Sequence, residues 1–154
     1  MLAQIGREAT PVIRAALTNA NTEICRAGVL ATGWSKEIGQ EVVPELTALI
    51  SSSDRLLANY SAMQLRRLLL MEEFVRVASG VSGIHQYAVQ RLLLRSLAES
   101  KTNVAFAVPA VVSMLTSPDE AVRKLATNAL LHMDSTAAAA HGVHTNAPKE
   151  IPGR

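Results

Sequence analysis

Apolar positions along the chain fall at helical spacing, and that spacing restarts in register three times. The stretches TPVIRAALTNANTEI from Thr10, VPELTALISSSDRLL from Val43 and VPAVVSMLTSPDEAV from Val108 align without gaps. A proline opens each, at Pro11, Pro44 and Pro109, and the second interval is close to twice the first. Below the proline the columns read Ile13, Leu46, Val111, then Ala16, Leu49, Met114, then Leu17, Ile50, Leu115. Residues three or four apart share a helix face, so each copy predicts one amphipathic helix. Proline fits the first turn of such a helix, where its missing N–H has no intrahelical partner. A polar turn follows each helix. Asn19, Ser52 and Ser117 share a column there and are expected to cap the next helix. Ser117-Pro118-Asp119-Glu120 reads as a cap, a first-turn proline and a glutamate three after the cap.

A second helix is expected after each turn. Its columns are Ile24, Leu57, Val122, then Ala27, Tyr60, Leu125, then Gly28, Ser61, Ala126. The last column is small each time, which lets a neighbouring helix approach closely. The longer interval leaves room for one more unit between Met71 and Asn103. There Ile84, Tyr87 and Ala88 continue the three columns, while Val89, Leu92, Leu93 and Leu97 form a competing apolar face. The reading is therefore about eight helices from Thr10 to Asp134, in four helix-turn-helix units at about 10–39, 40–70, 71–103 and 104–134. One such unit cannot bury its own apolar face. Stacking does so, which makes the expected fold class all-α, a right-handed α-solenoid of about four repeats.

The stretch VPAVVSMLTSPDEAVRKLATNALLHM carries a Val-Pro start, an apolar helix, a Ser-Pro-Asp turn and a second helix beginning Glu-Ala-Val-Arg-Lys-Leu-Ala. In this it resembles HEAT and armadillo repeats, and the likeness runs from about Thr10 to Asp134. A period of roughly 33 residues is closer to the two-helix HEAT unit, whereas the Val-Pro starts look like armadillo repeats. The resemblance implies that second helices line a concave surface. It says little about function, because such repeats serve unrelated roles. Residues 1–134 are read as the repeat domain. Residues 135–154 lack an apolar period and are read as a flexible C-terminal tail, with Ala137 to Ala140 able to extend the last helix.

Composition agrees with a globular helical chain. Hydrophobic residues make up 49%, charged residues 18% and aromatics only 3%, so Ala, Leu and Val must build the core. No apolar run approaches the roughly 18 residues of a membrane span. Arg7 and Glu8 interrupt the N-terminus where a secretory signal would be apolar, so a cytoplasmic location is expected. A net charge of +2 is too mild to imply nucleic acid.

No catalytic motif is present, and neither an enzyme activity nor a cofactor is expected. Cys25, the single cysteine, sits among core positions with no histidine near it in sequence, and reads as a small buried hydrophobe. His141 and His144 are two potential ligands without carboxylates or thiolates, too few for a metal site. Glu72-Glu73 and Asp119-Glu120 lie at expected helix starts, where the helix dipole favours negative charge.

Charge asymmetry is the remaining signal. First helices collect Glu41, Glu45, Glu72 and Glu73, while second helices collect Arg26, Arg55, Arg66, Arg67, Arg91, Arg95, Arg123 and Lys124. Tyr87, Arg91 and Arg95 are spaced by four and share a face. The candidate partner-binding residues are Arg66, Arg67, Tyr87, Arg91, Arg95, Arg123 and Lys124, with Arg91 also a candidate for a place between repeats. They point to a non-catalytic scaffold for a protein partner with an acidic surface or peptide, within a larger assembly. The alternatives are binding of nucleic acid or another polyanion by the same basic face, or service as an accessory subunit of an enzyme.

Overall fold

The structure, a computed structural model, describes residues 2–144, with side chains from Glu8 to His144. The residues from 145 onward, where most of the expected flexible tail falls, lie outside the described residues. Among the described residues there are ten α-helices and one short 3-10 helix, and no strand. The first pair is α1 (Leu2–Leu17) and α2 (Thr22–Ala31). The second is α4 (Val43–Leu49) and α5 (Arg55–Leu68), preceded by a short α3 (Lys36–Glu41). The third is α6 (Met71–Ser79) and α7 (Gln86–Ala98). The fourth is α8 (Val108–Met114) and α9 (Glu120–Met133), preceded by the 3-10 helix Ala105–Ala107. A last helix, α10 (Ser135–Ala140), follows α9.

Helices within a pair pack on each other, and the second helices touch in order, α2 on α5, α5 on α7 and α7 on α9. One apolar cluster runs through all four pairs, from Ile13 and Leu17 to Leu130 and Ala138. Pro44 and Pro109 sit in the first turn of α4 and α8, as expected. Pro11 does not open α1. That helix begins at Leu2, so Pro11 lies in its interior and one backbone bond to the preceding turn is missing.

The turns use two residues in tandem. Asn21, Asp54 and Asp119 are the N-caps of α2, α5 and α9, accepting from Ile24 N at 3.4 Å and from Leu57 N and Val122 N at 2.8 Å each. The expected caps Asn19, Ser52 and Ser117 stand one step earlier. Their side chains accept the backbone N–H of the cap residue itself, at 2.8, 3.1 and 3.3 Å. Pro118 consequently precedes the cap and lies outside the helix. At α6, Glu73 accepts the N–H of Leu70, which places Glu72 and Glu73 in the first turn. Asp134 breaks α9 from α10 and caps the latter, accepting from Thr136 N and Ala137 N at 2.9 Å each. Residues 137–140 thus belong to a separate helix.

The third pair corrects the expected register. Ile84 is 78% exposed and lies before α7, and Tyr87 and Ala88 are only half-buried. The competing face is the buried one, with Val89, Leu93 and Leu97 at 0%, 0% and 1%. These match Val122, Ala126 and Leu130 on α9 at a constant offset of 33 positions. At Gly28 the small column admits a close neighbour, as expected. A β-carbon on Gly28 would sit 3.0 Å from Ala16 Cβ and 3.2 Å from Leu17 N, so its close approach is to α1 of its own pair.

Polar ties reinforce the joints between pairs unevenly. At the first joint Arg14 pairs with Glu45 and donates to the Glu41 carbonyl, and Arg26 pairs with the Asp54 cap. At the third joint Arg91 stands 3.9 Å from the Asp119 cap. Arg26 with Asp54 and Arg91 with Asp119 are equivalent pairs 65 positions apart in the sequence, the second the looser of the two. At the middle joint the His85 ring, through Nε2, meets the Ser53 carbonyl at 2.8 Å.

Candidate functional site

The seven candidate residues separate into two groups once their neighbours are known. Arg91 Nη1 stands 3.9 Å from the Asp119 carboxylate, where α7 meets α9. Arg123 folds back on its own turn, its Nη1 donating to the Ser117 carbonyl at 2.7 Å and the Pro118 carbonyl at 2.9 Å. Lys124 holds Glu120 one turn away at 2.6 Å, a pair exposed on both sides. Tyr87 is half-buried against the core. The other three, Arg66, Arg67 and Arg95, form no ion pair with any described residue.

Arg66 and Arg67 occupy the last turn of α5 and line an open depression with Ser96, Glu99 and Ser100 at the end of α7. Arg67 Nη1 donates to Gln64 Oε1 at 3.3 Å, and a β-carbon on Gly33 would lie 3.1 Å from that same nitrogen. The guanidinium therefore rests beside the loop that carries Trp34, whose side chain is 86% exposed. Met63, one turn before Arg67 on α5, and Leu30, in the last turn of α2, are each 51% exposed. Met63, Arg66 and Arg67 are spaced by three and four positions and share a helix face. The surface thus combines exposed aliphatic and aromatic groups with two arginines that form no ion pair among the described residues, although Glu99 lines the same depression.

Sequence reasoning missed Leu30, Trp34 and Met63. A signal existed: with the second helices in register, Leu30, Met63, Arg95 and Asn128 form one column, and Trp34, Arg67, Glu99 and His132 another. The first column changes from apolar to polar along the stack.

Two further groups describe the chemistry. Cys25 is buried and its thiol donates to the Leu17 carbonyl at 3.1 Å. Burial first, then the nearby Asp54 charge, pushes its pKa up, so the thiolate is disfavoured. Asp54 is held below its ordinary pKa of 3.8 by the Arg26 guanidinium first, and by the Leu57 N–H. A depressed carboxyl contributes stability above its unfolded pKa and loses it as pH falls through the folded value. Asp54→Asn keeps a competent cap but removes the charge. Urea midpoints measured from about pH 6 down to pH 3 should fall more steeply for the wild type than for this variant. Equal slopes would show that the Arg26–Asp54 pair does not tie the first joint.

No three histidine, cysteine, aspartate or glutamate side chains gather as a metal site among the described residues, and no helix there is long and apolar enough to cross a membrane. Comparison with protein-family models, with curated proteins and with solved structures gives no match.

Proposed function

We propose that the protein is a non-catalytic interaction scaffold, its four helix pairs stacked as a HEAT- or armadillo-like solenoid, and that it holds an acidic segment of a partner protein within a larger intracellular assembly. The short helices ahead of Val43-Pro44 and Val108-Pro109 favour the three-helix armadillo unit over the two-helix HEAT unit. The observation that carries the functional reading is the surface shared by α2, α5 and α7. There Arg66 and Arg67 line a depression without ion pairs among the described residues, Arg67 beside the loop of exposed Trp34, and unpaired Arg95 on α7 continues the column of exposed Leu30 and Met63. Carboxylates of a partner would supply the missing counter-charges, and an apolar side chain would cover the exposed groups.

The test is the triple reversal Arg66→Glu, Arg67→Glu, Arg95→Glu, leaving Arg91 and Arg123 in their structural contacts. Exposed pairs contribute about 0.2–1 kcal/mol each, so three reversals should weaken a co-purified native partner at least tenfold, about 1.4 kcal/mol. The loss should shrink in about 0.5 M salt, where screening is severe. A folded triple variant that binds the partner with undiminished affinity at low salt would overturn the reading. Loss of retention on heparin, with protein binding untouched, would move the arginines to the polyanion reading.

A further inference from the structure

The ends of the second helices form a row whose character changes from one helix to the next. It begins past the end of α2 at Trp34, the most exposed large apolar side chain among the described residues at 86%. A β-carbon on Gly33 would lie 3.1 Å from Arg67 Nη1, so the Trp34 loop abuts the last turn of α5. Arg66 and Arg67 in that turn share a depression with Ser96, Glu99 and Ser100 at the end of α7. The row therefore reads aromatic, cationic and anionic in order. Neither the two arginines nor Glu99 enter an ion pair among the described residues. The hydroxyls beside them are engaged locally: Ser96 Oγ donates to the Leu92 carbonyl at 2.9 Å, and Ser100 Oγ meets Thr102 Oγ1 at 2.9 Å. Discrimination along the row falls to the indole and the two signs of charge.

Glu99 decides what the row accepts. A uniformly acidic chain would satisfy Arg66 and Arg67 and then bring like charge onto Glu99. Like charges brought together count against a ligand, so a complementary one changes sign between α5 and α7. Packed helices stand about 8–10 Å apart and an extended chain advances about 3.3 Å per residue, so about three residues separate one helix end from the next. The ligand that fits carries an apolar side chain, carboxylates one such step on, and an ammonium or guanidinium one step further.

We infer that the row from Trp34 through Arg66 and Arg67 to Glu99 binds a partner segment in the order apolar, acidic, basic, and that Glu99 turns away uniformly acidic chains. The inference rests on the reading of this face as the seat of an acidic partner segment, and adds the order of its charges.

Trp34 is the chain's single tryptophan, so its fluorescence reports from the site itself. The probes are synthetic peptides of three blocks, leucine, glutamate and lysine, of about three residues each. They are made with each block in turn at the centre, and in both directions. Peptides with the glutamate block at the centre should shift Trp34 emission to the blue and bind at least about fivefold more tightly than the other orders, because several exposed contacts are gained together. Replacing their lysine block by glutamate should weaken binding to the wild type about threefold. Glu99→Lys should invert that preference. Glu99 is the exposed C-cap of α7, where lysine suits the helix dipole, so the variant keeps its fold, which far-UV dichroism checks. Glu23→Lys makes the same change of charge in the first turn of α2, at the other end from Trp34, and should keep the wild-type preference. Equal binding of all orders, tighter wild-type binding of the glutamate-substituted peptide, an unchanged preference in Glu99→Lys, or no Trp34 shift with any peptide up to about 1 mM would each overturn the inference. If the glutamate-substituted peptide binds best and the Arg66, Arg67, Arg95 reversal still weakens the native partner, the acidic-segment reading stands and only the order of charges fails.

Discussion

Truncating Leu93 to alanine is expected to cost about 2–5 kcal/mol, while the same truncation of Ile84 should cost under about 0.5 kcal/mol. Leu93 is completely buried on α7, which touches α5, α6 and α9, so its removal leaves a void bounded on several sides. The surrounding helices relax only partly around such a void, and the remaining cavity adds to the lost transfer energy. Ile84 is 78% exposed before the helix begins, and alanine there loses little. Urea unfolding of the two variants side by side checks the register of the third pair. Comparable losses would return the buried face to Ile84, Tyr87 and Ala88.

Gly28→Leu is the other large effect. The first added carbon already meets Ala16 Cβ at 3.0 Å and the backbone of Leu17 at 3.2 Å. A backbone cannot step aside as a flexible side chain can, so the remaining carbons must force α1 away from α2. Overpacking of this kind costs about 1–3 kcal/mol, and the rigid neighbour places this case at the upper end. Gly28→Ala is the internal control, because the gain of about 1 kcal/mol in helix propensity offsets much of its milder contact. Thermal unfolding should therefore show a large drop for leucine and a small change for alanine. Equal melting points for all three chains would mean that α1 does not bear on Gly28.

Where a local chemical rule marks a position, the sequence was readable. Pro44 and Pro109 mark helix starts because only the first turn tolerates a missing N–H, and the polar turns repeat because each must fix a cap. The third pair escaped because its second helix has no such marker. The N-cap of α7 is His85, one position before the register counterpart Gln86; it makes no side-chain cap bond, and the turn before it runs through Gly83 at φ +100°. With no anchored start, a helix apolar on two sides fits two registers. The candidate site was half legible for a different reason. Arginine on a second helix is visible in the sequence, but its employment depends on what lies across the joint. Arg91 and Arg95 share one face, yet only Arg91 reaches Asp119. The pattern was present in the numbering, since Arg26 precedes Asp54 by the same interval as Arg91 precedes Asp119. Trp34 shares a column with Arg67, Glu99 and His132, but it lies past the end of α2, where helical spacing no longer says which residues are buried.

The unequal joints divide the stack into two halves. Arg26 pairs with the Asp54 cap at the first joint and Arg91 approaches the Asp119 cap at the third, while the middle one has the sparsest contacts of the three and a ring-to-carbonyl bond. Stability in a stacked chain is the sum of unit terms and neighbour terms, so local opening concentrates at the smallest neighbour term. The cooperative blocks expected on this basis are α1 to α5 and α6 to α10, divided at Leu69-Leu70 between α5 and α6. Arg66 and Arg67 belong to one block and Arg95 to the other. In the proposed reading, a partner seated on all three would span that division, so its binding would be linked to closure of the seam between the blocks.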